Sequence, residues 1–104
     1  MVEYERCFLK PGSIHAICED YRASASIDLE HDRESRAQGK RILCNTLVLW
    51  GSKGVVNRLF NPVGLWQAQC AASVTGEAMP AGHFIPEELP TETAASLKGF
   101  FGPR

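Results

Sequence analysis

Four consecutive apolar residues, Leu47-Val48-Leu49-Trp50, stop abruptly at Gly51. An unbroken apolar run bounded by glycine is the pattern of a strand covered on both faces in a parallel sheet. The strand is predicted over Ile42–Trp50, and a second, weaker one over Val74–Met79. Between them Gly51-Ser52-Lys53-Gly54 reads as a loop at the carboxyl end of the first strand. Pro62 suits the first turn of a helix, with Leu65, Trp66 and Cys70 as its inner face. A strand, a crossover helix and a strand in one sheet make a parallel pair. Two strands do not make a stable sheet, for which three or more with a covered face are needed. Further strands upstream of Met1 are therefore expected.

Helical patterns flank this unit. Tyr4–Leu9 is a short amphipathic piece that stops at Pro11-Gly12, and Ser13 is suited to cap a new helix. Ile14, Ile17, Cys18 and Tyr21 then recur at helical spacing, which puts Tyr21 on the buried side. Another helix is predicted from about Asp28 to Gln38, ending at Gly39 in the position that favours glycine. Downstream, Pro80-Ala81-Gly82 turns the chain directly before His83-Phe84. Pro86 and Pro90 are expected to keep the next stretch non-helical, with Thr91 capping a final helix to about Phe101. The pattern is α/β.

Charge narrows the partners. Eleven basic residues against twelve acidic ones leave a formal charge of −1, without the basic block of a nucleic-acid binder. Arg33, Arg36, Lys40 and Arg41 gather behind Asp28, Glu30, Asp32 and Glu34, which reads as a solvated helix face with opposite-charge pairs. No apolar stretch is long enough to cross a membrane, and the first six residues carry acids rather than a signal-peptide core. Cys7, Cys18, Cys44 and Cys70 lie 11, 26 and 26 residues apart, a spacing that matches no zinc motif. Each has apolar neighbours, so the cysteines are expected to be small buried hydrophobes in a reducing, cytoplasmic setting. Neither a metal nor a cofactor is expected.

His83 is the sharpest chemical signal. It lies in a tight turn after a predicted parallel strand, and functional loops of open α/β sheets cluster at the strands' carboxyl ends. A histidine held there is suited to act as a general base near neutral pH, although an exposed loop histidine without a role fits the same spacing. Tyr21 comes second, either as a core tyrosine bonded to a backbone partner or as a hydroxyl donor aimed into a pocket. His15 and His31 sit on predicted helices among charged neighbours and read as solvated.

Three stretches carry a family likeness. Cys18-Glu19-Asp20-Tyr21-Arg22-Ala23-Ser24-Ala25, then Leu47-Val48-Leu49-Trp50-Gly51 with Gly54-Val55-Val56, then Pro80-Ala81-Gly82-His83-Phe84-Ile85-Pro86-Glu87-Glu88 occur in that order. Together they resemble the C-terminal portion of haloacetate (fluoroacetate) dehalogenases, which are α/β-hydrolases with a helical cap. The resemblance implies that residues 1–40 form the end of the cap. It also implies that residues 41–104 form the last two parallel strands of the core with their flanking helices. In that family an aspartate displaces the halide and forms an ester, which a histidine-activated water then hydrolyses. By this likeness His83 matches the water-activating base, and Tyr21 a hydrogen-bond donor to the departing halide. The nucleophile, the substrate-binding arginines and the triad acid are expected in segments N-terminal of Met1. The loop Gly51-Ser52-Lys53-Gly54-Val55-Val56 carries no carboxylate, as in the haloacetate type, where the acid comes from an earlier strand. Asn61 stands where relatives are expected to have aspartate, a difference of little weight before a Pro-started helix.

The implied partner of the complete enzyme is a small haloacid-like substrate. An epoxide or ester hydrolase on the same fold is one alternative, and a non-catalytic α/β interaction module is another. Exposure separates fragment from module. A hydrolase segment should leave an edge of Ile42–Trp50 and a face of the Ile14–Tyr21 helix bare, and should self-associate through the exposed edge. A self-standing module should cover both surfaces itself or in a homodimer.

Overall fold

The computed structural model describes residues 1–102, which separate into two compact units, Met1–Lys40 and the remainder from Arg41. The first unit is three helices: α1 (Val2–Phe8), α2 (Ser13–Ser24) and α3 (Ile27–Ala37). Gly12 takes φ +83°, a left-handed conformation open to glycine, and this reverses the chain between α1 and α2. Ser13 does not cap α2 with its side chain, because its hydroxyl donates instead to the Cys7 carbonyl at 3.0 Å and ties the two helices together. Ser26 behaves similarly, its Oγ turned back onto the Arg22 carbonyl at 2.6 Å across the α2–α3 connection. Gly39 follows the end of α3 with φ +67° and donates its N–H to the Arg36 carbonyl, as its position predicts.

No residue of these three helices is buried. Ile14 and Ile17 are 63% and 41% exposed, and Tyr21, expected on a covered face, is 74% exposed. The periodic stripe is present, but no layer among the described residues covers it. Cys7 and Cys18 are exposed for the same reason, against the expectation of burial. The charges of α3 form no ion pair among the described residues, and Glu34 accepts from Gln38 instead. Fully solvated side chains gain little from pairing, since water competes for both partners. The ion pairs of this unit are Arg6–Glu3 and Arg22–Glu19.

The second unit is built on two parallel strands, β1 (Thr46–Gly51) and β2 (Val74–Met79). Their register runs from Thr46 opposite Val74 to Gly51 opposite Met79. β1 begins four residues later than its predicted start. Ile42 still joins the sheet through an isolated parallel bridge to Cys70, but Leu43–Asn45 leave the ladder and Leu43 and Cys44 are exposed. Both strands are thinly covered. β1 is half-buried rather than enclosed, and the middle of β2 is exposed, because two strands offer too little area to bury each other.

The helices of this unit depart from expectation in three places. A short helix, α4 (Val55–Leu59), starts in the stretch predicted as loop. α5 runs only over Pro62–Gln67, so the inner face extrapolated to Cys70 does not exist. Its buried residue is Pro62, Leu65 and Trp66 are exposed, and Cys70 reaches its buried place by the bridge to Ile42. Gly76 accommodates this arrangement: a Cβ there would lie 2.4 Å from the Val48 carbonyl oxygen and 3.0 Å from Val63 Cγ2.

Pro86 and Pro90 lie inside helices, α6 (Ile85–Glu88) and α7 (Pro90–Phe101), each within the first turn. A first-turn N–H has no helical partner in any case, so proline costs nothing there. Thr91 is therefore not the cap of α7, which begins after Leu89. The threonine that matters is Thr93, buried, with its hydroxyl donating to the Leu89 carbonyl at 2.7 Å. Met79, Ala81 and Cys70 complete the small core at the strand ends.

Candidate functional site

The chain turns sharply after β2. The Ala81 N–H donates to the Met79 carbonyl at 2.7 Å, closing a three-residue turn around Pro80, whose fixed φ suits the central position. The loop after β1 is laced to this turn by backbone bonds. Ser52 N–H donates to the Met79 carbonyl at 2.8 Å and Lys53 N–H to the Ala81 carbonyl at 3.0 Å. Gly51 is buried beneath them, its bare Cα turned to the Gly82 carbonyl so closely that a Cβ would fall 1.7 Å from that oxygen. From the other side the Glu88 carboxylate of α6 accepts the Gly82 N–H at 3.0 Å.

His83 emerges from this braced backbone. Its side chain is exposed, and its ring meets Phe84 edge-on with centroids 4.8 Å apart at 85°. A hollow of about 240 Å³ opens beside it, lined by Trp50, Val56, Pro62, Trp66, Gly82 and His83 among others. Trp50 is held in that wall by a hydrogen bond from its indole N–H to Asn57 Oδ1 at 2.8 Å. Asn61 caps α5 by accepting the Gly64 N–H at 3.2 Å, which sets the helix carrying Trp66. The chemistry open to this arrangement is proton transfer, from an imidazole at the rim of a partly apolar hollow at the carboxyl ends of parallel strands.

Tyr21 lies in the first unit, on the solvent-facing side of α2, and His83 in the second; each is placed within its own unit. His15 lies 4.0 Å from Glu19 and is exposed, and His31 is exposed on α3, as their charged neighbours predict. Two residues that shape the His83 turn, Gly51 and Glu88, have no signal of their own in the sequence. Gly51 marks only the end of an apolar run, and nothing in periodicity links Glu88 to a residue six positions earlier. Among the described residues no group of three or more histidines, cysteines and carboxylates could hold a metal, and no helix is long and apolar enough to cross a membrane.

No family model matches the chain. Individual proteins do. It is 36% identical over 98 residues to a fluoroacetate dehalogenase of Burkholderia sp, a match covering 94% of this chain and 31% of that protein. It is 32% identical over 104 residues to a soluble epoxide hydrolase of Corynebacterium sp. (strain C12), covering 99% of this chain and 34% of the other. Two crystal structures are similar throughout. A Nostoc sp PCC 7120 protein named provisionally as an α/β-hydrolase gives a TM-score of 0.89 at 45% identity, over 99% of this chain and 34% of its own. A Salmonella enterica protein named provisionally as an acyltransferase gives 0.86 at 45% identity, over 95% of this chain and 32% of its own. The chain thus spans about a third of the length of the proteins it matches. In fold and in sequence it belongs to the α/β-hydrolases, as a dehalogenase-like C-terminal part of that fold.

Proposed function

We propose that this chain contributes the C-terminal part of a cytoplasmic hydrolase that cleaves a carbon–halogen bond in a small haloacid, with His83 as the water-activating base. The observation that carries the reading is the position of His83: exposed, at the rim of a hollow, on a turn braced at the carboxyl ends of two parallel strands. The likeness to a fluoroacetate dehalogenase over nearly the whole chain supports the choice of reaction.

The chemistry has two steps. A carboxylate of the N-terminal part of the enzyme attacks the halogen-bearing carbon, and the halide leaves with the bond's electron pair. Tyr21 donates its hydroxyl hydrogen bond to the halide as that charge develops. His83 then takes a proton from water, whose oxygen attacks the carbonyl of the resulting ester. Collapse of the tetrahedral intermediate expels the alkoxide, which takes the proton back from His83 to give the hydroxy acid, and the nucleophile's carboxyl loses its proton to solvent to restore the carboxylate. Residues 1–40 serve as the end of the cap that carries Tyr21, and residues from Arg41 as the end of the core.

The test is a graft, in which this segment replaces the matching third of the Burkholderia fluoroacetate dehalogenase. Positioned general bases contribute about 10² to 10⁴ in rate. His83→Ala in the folded graft should release a stoichiometric burst of halide and then stall, with a covalent adduct visible by intact mass. Tyr21→Phe should slow the burst itself without trapping an adduct. A His83→Ala graft that turns over at the unsubstituted rate would refute the assignment. Epoxide opening by the same carboxylate and histidine is the second reading, favoured by the 32% identity to an epoxide hydrolase. Offering the graft both substrate classes separates the two.

A further inference from the structure

We infer that Glu88 is a positioning residue for His83, acting through the backbone of Gly82. The inference deepens the proposed role of His83 and adds a residue for which the two-step chemistry has no use. Glu88 is exposed, and an exposed glutamate ordinarily extends into water. Here its carboxylate turns back across six residues and accepts the Gly82 N–H at 3.0 Å. A carboxylate acceptor makes this bond stronger than a neutral one.

The bond completes a grip on the residue that precedes the imidazole. The Gly82 N–H is held by Glu88, while its carbonyl is packed against the bare Cα of Gly51. With both ends of residue 82 held, the Cα of His83 is placed, and the ring direction depends only on its own side-chain torsions. Glycine at 82 leaves the carboxylate room, since a Cβ there would lie 3.1 and 3.3 Å from its two oxygens and push them back by a few tenths of an ångström. The anchor is itself fixed. Glu88 N–H donates to the Phe84 carbonyl at 3.0 Å and Leu89 N–H to the Ile85 carbonyl at 2.8 Å, which close α6. Thr93 of α7 reaches the Ile85 carbonyl with its hydroxyl at 3.4 Å. A continuous chain of bonds therefore runs from α7 through α6 to the turn that presents His83.

The test reads geometry rather than turnover, on the folded graft, deuterated and ¹⁵N-labelled, by NMR. In Glu88→Ala, hydrogen exchange of the Gly82 amide should rise about tenfold, the scale of one charge-assisted bond at an exposed site. The residual dipolar coupling of the His83 backbone amide should move toward averaging, while the amides of Val74–Met79 keep their protection. Glu88→Gln, which retains an acceptor oxygen at the same reach, should restore both signals. The inference fails if the Gly82 amide is unchanged in Glu88→Ala, or if the glutamine variant behaves like the alanine one. It also fails if protection falls evenly across β2, which would mark a merely structural role. These readings do not depend on what His83 does. A grafted enzyme that ignores His83→Ala would therefore sink the base assignment and leave the placement by Glu88 standing.

Discussion

Replacing Gly51 with alanine should be the most damaging single-methyl change in the second unit. A Cβ at this position would lie 1.7 Å from the Gly82 oxygen, 2.6 Å from the Ala81 oxygen and 2.7 Å from the Gly82 carbonyl carbon. Carbon and oxygen in contact stay roughly 3.3 Å apart or more. The two loops must therefore part by about 1.5 Å, a distance no side-chain rotation can absorb because every atom met is backbone. That displacement breaks the bonds of Ser52 to Met79 and Lys53 to Ala81, 2.8 and 3.0 Å long. Two backbone bonds at about 1 kcal/mol each, with overpacking at about 1–3 kcal/mol, put the loss at about 3–5 kcal/mol.

Urea unfolding at fixed protein concentration, followed by tryptophan fluorescence, measures this loss directly. Both tryptophans, Trp50 and Trp66, lie in the second unit, so the signal reports on it. Gly54→Ala is the matched control in the same loop, where the nearest atom would be 3.4 Å away, and it should cost less than about 1 kcal/mol. In a grafted enzyme Gly51→Ala should also lower turnover by about 10²-fold, since the His83 turn would move by more than an ångström. A Gly51→Ala chain that unfolds at the same urea concentration as its parent would refute the close approach on which this reasoning depends.

Four further outcomes follow from the same geometry. Gly99→Ala should stabilise the chain by about 0.4–1 kcal/mol in the urea assay, because position 99 lies within α7 and a Cβ there would meet nothing within 4 Å. Thr93→Val should cost about 1 kcal/mol, as the buried site loses a hydroxyl bonded to the Leu89 carbonyl; an unchanged midpoint would show that bond to be idle. The 104-residue chain by itself should release no halide from haloacetates above a His83→Ala control, since the roles proposed for His83 and Tyr21, a base and a donor, include no nucleophile. It should also self-associate through the open strand edges and the bare face of α2, so sedimentation should show a mass that grows with concentration, and a monomer at every concentration would count against this.

Much of the second unit is legible in the sequence. The apolar run at Leu47–Trp50, the glycine after it and the proline at 62 are local signals, and they located β1, its loop and α5. Structure and pattern part where a local signal runs past its reach. Helical spacing continues to Cys70 although the helix ends at Gln67, and Pro86 suggests a break although a helix's first turn tolerates it. The stripe through Tyr21 has the right period for a covered face, yet period says only that a face exists and not that anything lies on it.

The sequence alone determined the strand, helix, strand order and the histidine turn, since these depend on neighbours a few residues apart, and the crossover rule then made the two strands parallel. The tertiary structure decided what surrounds His83. Gly51 meets Gly82 across thirty-one positions, Lys53 meets Ala81 across twenty-eight, and Glu88 folds back on Gly82 from the far side. Such contacts depend on how the ends of two strands and a short helix converge in space, and hydrophobic period and turn propensity carry no information about that distance.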